Sequence, residues 1–544
     1  MARLPLPGLC ACAALLVLTP LPALGQRFLP DDPVAADPDN LPIPRPRTVE
    51  LSRTFDFLSE TFSHHPGARI PRAVNVNTVG EVPDSSWFTN RMGTREMSVE
   101  ELVRGPDTLD GPDVGGTVTV IAGKTAGVTP GFTIKDGRGE VFFVKVDPKD
   151  HPHLVSAADV IGTKFFHAFG YNVPENYLAR LRPEKLQIGA GARVTGVDGK
   201  KREMEPADLA AILDRSPREP DGTIRVVASR RLPGEPAGEF KFHGTRRDDP
   251  NDIFAHEHRR ELRGLRVFAA WLNHDDSDAL NTLDVFVKDG DRGHVRHHLI
   301  DFGSILGSSA VGPQLPQEGY EYSLEFGPLL RSALTFGIWD RPWRSVPYRE
   351  YPEIGRLEAE FFRPERWKPF YPNPAFDRML PEDALWAARI VAAFSDDIVR
   401  ALVRTGEFRD PEAERHLADT LLRRRDKVVA HYLHQTNPIV GFGVRGSGGE
   451  AALEFVNLVE QVGLARSSSY EYEWLAFDND GGQLRSLGAP ARAGASSLPL
   501  PRERPAYLMA RIRTLGQEPR WRKAVDVYIR NAPTAAVVGI EREN

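Results

Sequence analysis

The stretch NHDDSDALN, residues 273 to 281, packs three carboxylates, a histidine and two asparagines into nine positions. Such a density suits a solvated turn, a metal cage or the centre of a catalytic site. Asp and Asn offer hard oxygens, which Mg²⁺ prefers to imidazole. A second metal chemistry is open from the histidines. His256 and His258, His274 with Asp275 and Asp276, and His297 and His298 supply the ligand types of a di-metal phosphoesterase. Against it, His256-Glu257-His258 opens a helical pattern whose apolar face implies packing. His297 and His298 alternate on a strand, so only one can face a site.

Three further features share an order with this loop. Gly123, Gly127 and Gly131 lie around a turn between two strand patterns, Lys145 sits in the strand VFFVKV, and Asp301-Phe302-Gly303 follows downstream. With His274-Asp275-Asp276, four residues and then Asn281, the order resembles the protein-kinase-like superfamily. The spacing from Asp276 to Asn281 is also that of its phosphatidylinositol-kinase and HipA-like branches. The resemblance covers roughly residues 115 to 310. It implies a Mg-nucleotide (ATP with Mg²⁺) as cofactor and transfer of phosphate or AMP to an acceptor, which is a protein, a sugar or a lipid. It further implies that Gly123, Gly127 and Gly131 form the phosphate loop and that Lys145 holds phosphate. Asp276 is then the catalytic aspartate, and Asn281 and Asp301 are the metal ligands. An acid on the helix after the lysine strand orients the lysine in this family, and Asp159 is the only acid within that helix.

These residue types suit phosphoryl transfer, which needs polyphosphate charge neutralised and the phosphorus placed in line with the acceptor. Departures mark an atypical branch. Asp275 stands where the family has arginine, no Ala-Pro-Glu follows Asp301-Phe302-Gly303, and the interval from Asn281 to Asp301 is long. Gly-Lys-Thr at 123 to 125 is no P-loop, because position 118, where the first glycine belongs, is Val118. A non-catalytic kinase fold acting as a binding module is the remaining alternative. The Arg- and Asp-dense segments SSWFTNR (85 to 91) and HGTRRDDPND (243 to 252) are expected as loops near the cleft.

The elements that must position these groups follow from periodicity. TVTVIAG and GFTIKDGRGEVFFVKVDP read as strands, the second a hairpin turning at DGRG. LVSAADVIGTKFFHAFG reads as a helix stopped by Gly170. TIRVVAS is a strand, and HEHRRELRGLRVFAAWLNH is a helix with Leu262, Leu265, Phe268, Ala269 and Leu272 on one face. LDVFV and HVRHHLI pair across KDGDRG. Residues 355 to 435 read as mainly helical. Beyond about 436, alternating runs, with Val525, Val527 and Ile529 on one face, predict an antiparallel sandwich-like domain.

The expected fold class is α+β: a two-lobed protein-kinase-like domain over 111–435 (lobes about 111–230 and 231–435) with a C-terminal all-β domain over 436–544. At 544 residues and a net charge of −6, with 41% hydrophobic residues, the chain suits several domains and offers no basic footprint for nucleic acid. Residues 1–25 have the layout of a secretory signal peptide, with small residues before Gln26, so a periplasmic or secreted protein is expected. Both cysteines, Cys10 and Cys12, lie inside it, which leaves the mature chain no thiol. Residues 26–110 form an N-terminal extension, Pro- and Asp-rich to about 50. No later segment is long and apolar enough to span a bilayer.

Overall fold

The computed structural model describes residues 25–543, apart from 64–66, 68, 125–130, 197–199, 337, 338, 340, 467, 517 and 533. The protein is a mixed α+β structure, with ten α-helices and five sheets among the described residues.

The Pro-rich lead-in is extended, and contacts pin it along its length. Phe28 buries beside Phe477 and Tyr528. Asp39 accepts from the Ser86 backbone N–H at 2.9 Å and from its hydroxyl at 2.7 Å. Ile43 exchanges backbone hydrogen bonds with Gly293, and the Val49 N–H donates to the Ala237 carbonyl at 2.9 Å. Two short helices follow, α1 (Arg53–Phe62) and α2 (Val99–Arg104), each opened by a serine whose hydroxyl accepts from the first turn.

The next elements are β1 (Val118–Lys124), β2 (Gly131–Lys135), β3 (Val141–Val146), α3 (Leu154–Phe169), β4 (Asn176–Leu181), β5 (Leu186–Thr195), β6 (Lys201–Glu203), α4 (Pro206–Leu213) and β7 (Ile224–Arg230). Their strands form one sheet in the order β4-β7-β3-β2-β1-β5-β6, antiparallel except for β1 with β5. The DGRG hairpin forms with Gly131 opposite Lys145. Its turn is held by Asp136, which accepts from the N–H groups of Arg138 and Glu140. Period-two alternation on β3 buries Phe142, Val144 and Val146, and so sends Phe143 and Lys145 to the opposite face. Every residue of α3 except His167 is buried, and Gly170, at φ 124°, ends the helix as expected.

The chain continues through β8 (Glu235–Gly238), α5 (Arg260–Leu272), β9 (Thr282–Asp289) and β10 (Arg292–Leu299). The helix expected from His256 begins at Arg260 instead. His256–His258 is a separate 3-10 turn, because Arg259 is extended and its guanidinium lies over Trp87 at 4.4 Å. The single apolar face expected for α5 is also too modest, since every residue but Arg266 is buried. Its polar residues are matched: Arg260 and Arg263 reach Asp383 at 2.9 and 3.4 Å. The hairpin β9–β10 forms across KDGDRG, with Asp289 opposite Arg292.

Past two short strands, β11 (Ser308–Ser309) and β12 (Gly312–Pro313), come α6 (Phe326–Leu334), α7 (Pro381–Ala392), α8 (Asp396–Arg404) and α9 (Pro411–Leu433). The helical expectation for 355–435 therefore holds only from Pro381. Residues 355–380 are bends and single 3-10 turns, as Pro364, Pro369, Pro372 and Pro374 remove backbone donors and block helix. The largest apolar cluster joins α3, α5 and α7 to α9, with Phe169 stacked on Phe268 at 4.1 Å.

The rest of the chain is mostly strand: β13 (Ile439–Arg445), β14 (Ala452–Asn457), α10 (Leu458–Gln461), β15 (Ser469–Phe477), β16 (Leu484–Ser486), β17 (Ala491–Ala493), β18 (Ser497–Pro499), β19 (Tyr507–Leu515), β20 (Val525–Arg530) and β21 (Ala536–Arg542). They make a three-stranded and a six-stranded antiparallel sheet. Val525, Val527 and Ile529 are fully buried in one cluster with Leu453 and Phe455 of the smaller sheet. Among the described residues no helix is long and apolar enough to cross a membrane.

Candidate functional site

The elements converge on one cleft of about 750 Å³, lined among others by Gly123, Gly131, Lys145, Asp276, Asn281 and Asp301. Lys145 bridges two carboxylates across it: its Nζ lies 3.0 Å from Asp159 Oδ2 and 2.6 Å from Asp301 Oδ1. Burial pulls the ammonium pKa down, but Asp159 and Asp301 outweigh that and hold it above its ordinary value. Lys145 is therefore a fixed positive charge at neutral pH.

Asp159 is fully buried and accepts from Lys145, from Asn176 Nδ2 at 2.8 Å and from the Phe302 N–H at 3.2 Å. Burial raises its carboxyl above the ordinary range, and Lys145 and the Phe302 N–H oppose that rise. An aspartate reaches less far than a glutamate, and the fold compensates by bringing α3 close. Gly162, one turn after Asp159, has room for no side chain, since a Cβ there would lie 2.8 Å from Phe302 Cβ.

Asp301 has its side chain 48% exposed at the cleft. Partial desolvation inside the cleft raises its carboxyl, and Lys145 together with the Gly303 N–H pulls it below the ordinary range. Its backbone sits at φ 60°, a left-handed conformation that costs a non-glycine residue about 1–3 kcal/mol and collects at functional sites.

The loop 273–281 is built from within. Asn273, at φ 54°, ends α5 and turns the chain. Asp278 accepts from the Leu280 N–H at 2.9 Å and so opens the 3-10 turn Ala279–Asn281. Asn281 Nδ2 donates to the Asp276 carbonyl at 2.7 Å, which fixes the amide and leaves its oxygen available. His274 is a strut: its Nδ1–H donates to the Ser304 carbonyl, and its ring packs against both Phe166 and Phe302. Burial lowers its pKa and keeps it neutral.

Asp275 is buried and accepts from Gln314 Nε2. Burial, then Glu318 and Asp276, push its pKa well up. Asp278 is raised well too, by burial and then by Asp276. The loop thus crowds acid around Asp276, with one lysine opposite.

The glycines divide. Gly127 lies outside the described residues. Gly123 and Gly131 are strand residues flanking the cleft, and each has a packing reason to lack a side chain. A Cβ on Gly131 would meet the Val144 carbonyl oxygen at 2.5 Å, and one on Gly123 the Met204 methyl at 2.9 Å.

No family model, curated protein or solved structure matches this chain. The site is therefore read from its own chemistry.

The segments SSWFTNR and HGTRRDDPND do not line the cleft. They interlock in a buried network elsewhere. Trp87 stacks on His297 at 3.5 Å, His297 Nδ1 lies 2.6 Å from Asp284 Oδ1, and Arg246 reaches the other oxygen of Asp284 at 2.8 Å. His256 pairs with Asp252 at 2.7 Å, and His258 lies 2.8 Å from Arg263. His298 Nδ1–H donates to the Arg296 carbonyl at 3.1 Å. The candidate histidines thus bind protein partners, and among the described residues no three His, Cys, Asp or Glu side chains group to hold a metal.

Several cleft residues escaped the sequence reading. Arg53 of α1 and Phe370 line the cleft, and Asn176 holds Asp159. An asparagine opening the strand NYLARL was the only signal available for Asn176.

Proposed function

We propose that the cleft binds a nucleoside polyphosphate with Mg²⁺ and transfers its terminal phosphate, or a nucleotidyl group, to an acceptor. The observation that carries the reading is the bridge from Lys145 to both Asp159 and Asp301, beside an Asn281 amide tied to the Asp276 main chain. One fixed cation faces phosphate, and two hard-oxygen donors, Asn281 Oδ1 and the Asp301 carboxylate, suit a Mg²⁺ that keeps several waters. Bound there, the ion would neutralise phosphate charge. Asp276, at the cleft wall, is the acceptor-side base or positioning group. The reading extends to a two-lobed kinase-like arrangement: the seven-stranded sheet with α3 forms one lobe, the helices from α5 to α9 form the other, and a sandwich-like domain follows.

The test is transfer from γ-labelled ATP, and from α-labelled ATP for nucleotidyl transfer, to protein, sugar and lipid acceptors. The Asp276→Ala variant should lose about 10³-fold in rate while still binding nucleotide. Undiminished transfer by Asp276→Ala would sink the assignment.

A further inference from the structure

A second cavity, of about 820 Å³, lies beside the cleft, walled by α6 and by the turns before and after it. Glu318 lines both. Burial raises its carboxyl, the Leu315 N–H opposes that rise, and Asp276 adds to it, so the cavity wall feels the charge of the cleft aspartate.

The walls combine aromatic surface with balanced charge. Tyr320, Trp339, Trp343, Tyr348 and Trp367 line the cavity. Trp339 and Trp343 are half-buried, while Trp367 is buried and fixed by its Nε1–H, which donates to Asn273 Oδ1 at 2.9 Å. Arg331 lies over Trp339 at 4.9 Å and Arg356 over Tyr348 at 4.6 Å, contacts that hold the rings. Five glutamates face five arginines and one lysine, so the charges nearly cancel. Glu325 pairs with Lys368 at 2.5 Å, Glu358 accepts from the Tyr320 hydroxyl at 2.5 Å, and Glu321 pairs with Arg341.

Such walls discriminate between ligand classes. A lipid tail would strip water from the glutamates and arginines and return no hydrogen bond. An extended peptide docks best along a sheet edge, and among the described residues no strand lies between β12 and β13, the stretch that supplies most of the wall. An anion meets nearly as many glutamates as cations. A neutral sugar fits both features: its C–H face lies flat on an aromatic ring, and its hydroxyls donate to carboxylates and accept from guanidinium groups. The volume is that of a pocket for a drug-sized molecule, or about two to three sugar rings.

We infer that this cavity binds a neutral saccharide, and that this saccharide is the acceptor, presenting a hydroxyl past Glu318 to Asp276. The acceptor role rests on the Mg-nucleotide reading of the cleft, whereas the saccharide site does not. In phosphate transfer the hydroxyl oxygen bonds to the γ-phosphorus of the nucleoside triphosphate as the bond from that phosphorus to the β–γ bridging oxygen breaks. The diphosphate leaves with the bridging oxygen, and the hydroxyl proton passes to the Asp276 carboxylate.

Saturation-transfer NMR on the full chain tests the site without nucleotide, using maltotriose, cellotriose and chitotriose beside trigalacturonate and a serine-containing peptide. At least one neutral trisaccharide should receive saturation at its ring C–H protons. Trp339→Ala should weaken that binding about ten-fold, and Trp339→Phe, which keeps a ring, should hold it within about two-fold of the parent. Circular dichroism matching the parent's shows that both variants fold, and the phenylalanine variant carries the comparison if the alanine one does not. No saturation of any neutral trisaccharide overturns the proposal, whether or not Mg-ATP binds. So does a preference for trigalacturonate or the peptide, or equal affinity in Trp339→Ala. The acceptor role is tested with γ-labelled ATP and the bound trisaccharide. Label on the sugar supports it, and no label with both Mg-ATP and sugar bound overturns it. Sugar binding by a chain that binds no Mg-ATP supports the saccharide site and counts against the nucleotide reading alone.

Discussion

Two acid-rich regions of this molecule are built on opposite electrostatic rules. In the network around Trp87 two buried acids meet cationic partners: Asp252 lies against His256 and Arg259, Asp284 against His297 and Arg246. Burial raises both carboxyls, yet the hydrogen bonds and charges of their partners win, and Asp252 is held down to about 2. At the cleft the acids outnumber their partners, and Asp275 and Asp278 are pushed well up by burial and by Asp276. Compensated charge is what a fold can hold at rest. An acid surplus around one lysine is what a site keeps when a cation belongs to its work.

The contrast can be broken from the structural side first. Asp284→Ala leaves the buried Arg246 charge and the His297 ring nitrogen without their shared acceptor, and should cost about 3–5 kcal/mol of stability in chemical denaturation. The cleft groups should be untouched by it. The pH dependence sharpens the same point. The carboxyls of Asp252 and Asp284 are depressed, so their stabilisation is present above the unfolded carboxylate pKa near 4 and is lost as pH falls through the folded values. For Asp252, with a folded value of about 2, this amounts to roughly 2–3 kcal/mol between pH 5 and pH 1. Asp252→Asn should flatten that acid limb in urea titrations.

Asp275 runs the other way. Its raised pKa favours the protonated form in the fold, a contribution present below the unfolded value and lost as pH rises through the folded one. Asp275→Asn should therefore leave stability at pH 7 within about 1 kcal/mol of the parent, or raise it. A loss as large as that of Asp284→Ala would erase the distinction between the regions.

Legibility followed locality. The hairpins β2–β3 and β9–β10 were readable because DGRG and KDGDRG carry their turn chemistry in sequence, and α3 because its apolar period runs unbroken to Gly170. Lys145, Asp276, Asn281 and Asp301 could be picked out by order and spacing. That they share a cleft depends on contacts across more than 150 positions, such as Lys145 with Asp301. Asp159 was ambiguous because its reach depends on Gly162 letting α3 approach Phe302, which no local pattern encodes. The Arg- and Asp-dense segments were misplaced for a related reason. Composition shows that charge is present, and only tertiary pairing, such as Arg246 with Asp284, shows that it is spent internally.

The central claim is that the acid surplus at Lys145 is completed by a Mg-nucleotide. Titration calorimetry with a non-hydrolysable ATP analogue tests it most directly, run with and without Mg²⁺ on the parent chain and on Asp301→Ala. The account predicts Mg²⁺-dependent binding by the parent, and at least about ten-fold weaker binding once the Asp301 ligand is gone. Absence of binding by the parent, or equal affinity in Asp301→Ala, would contradict it.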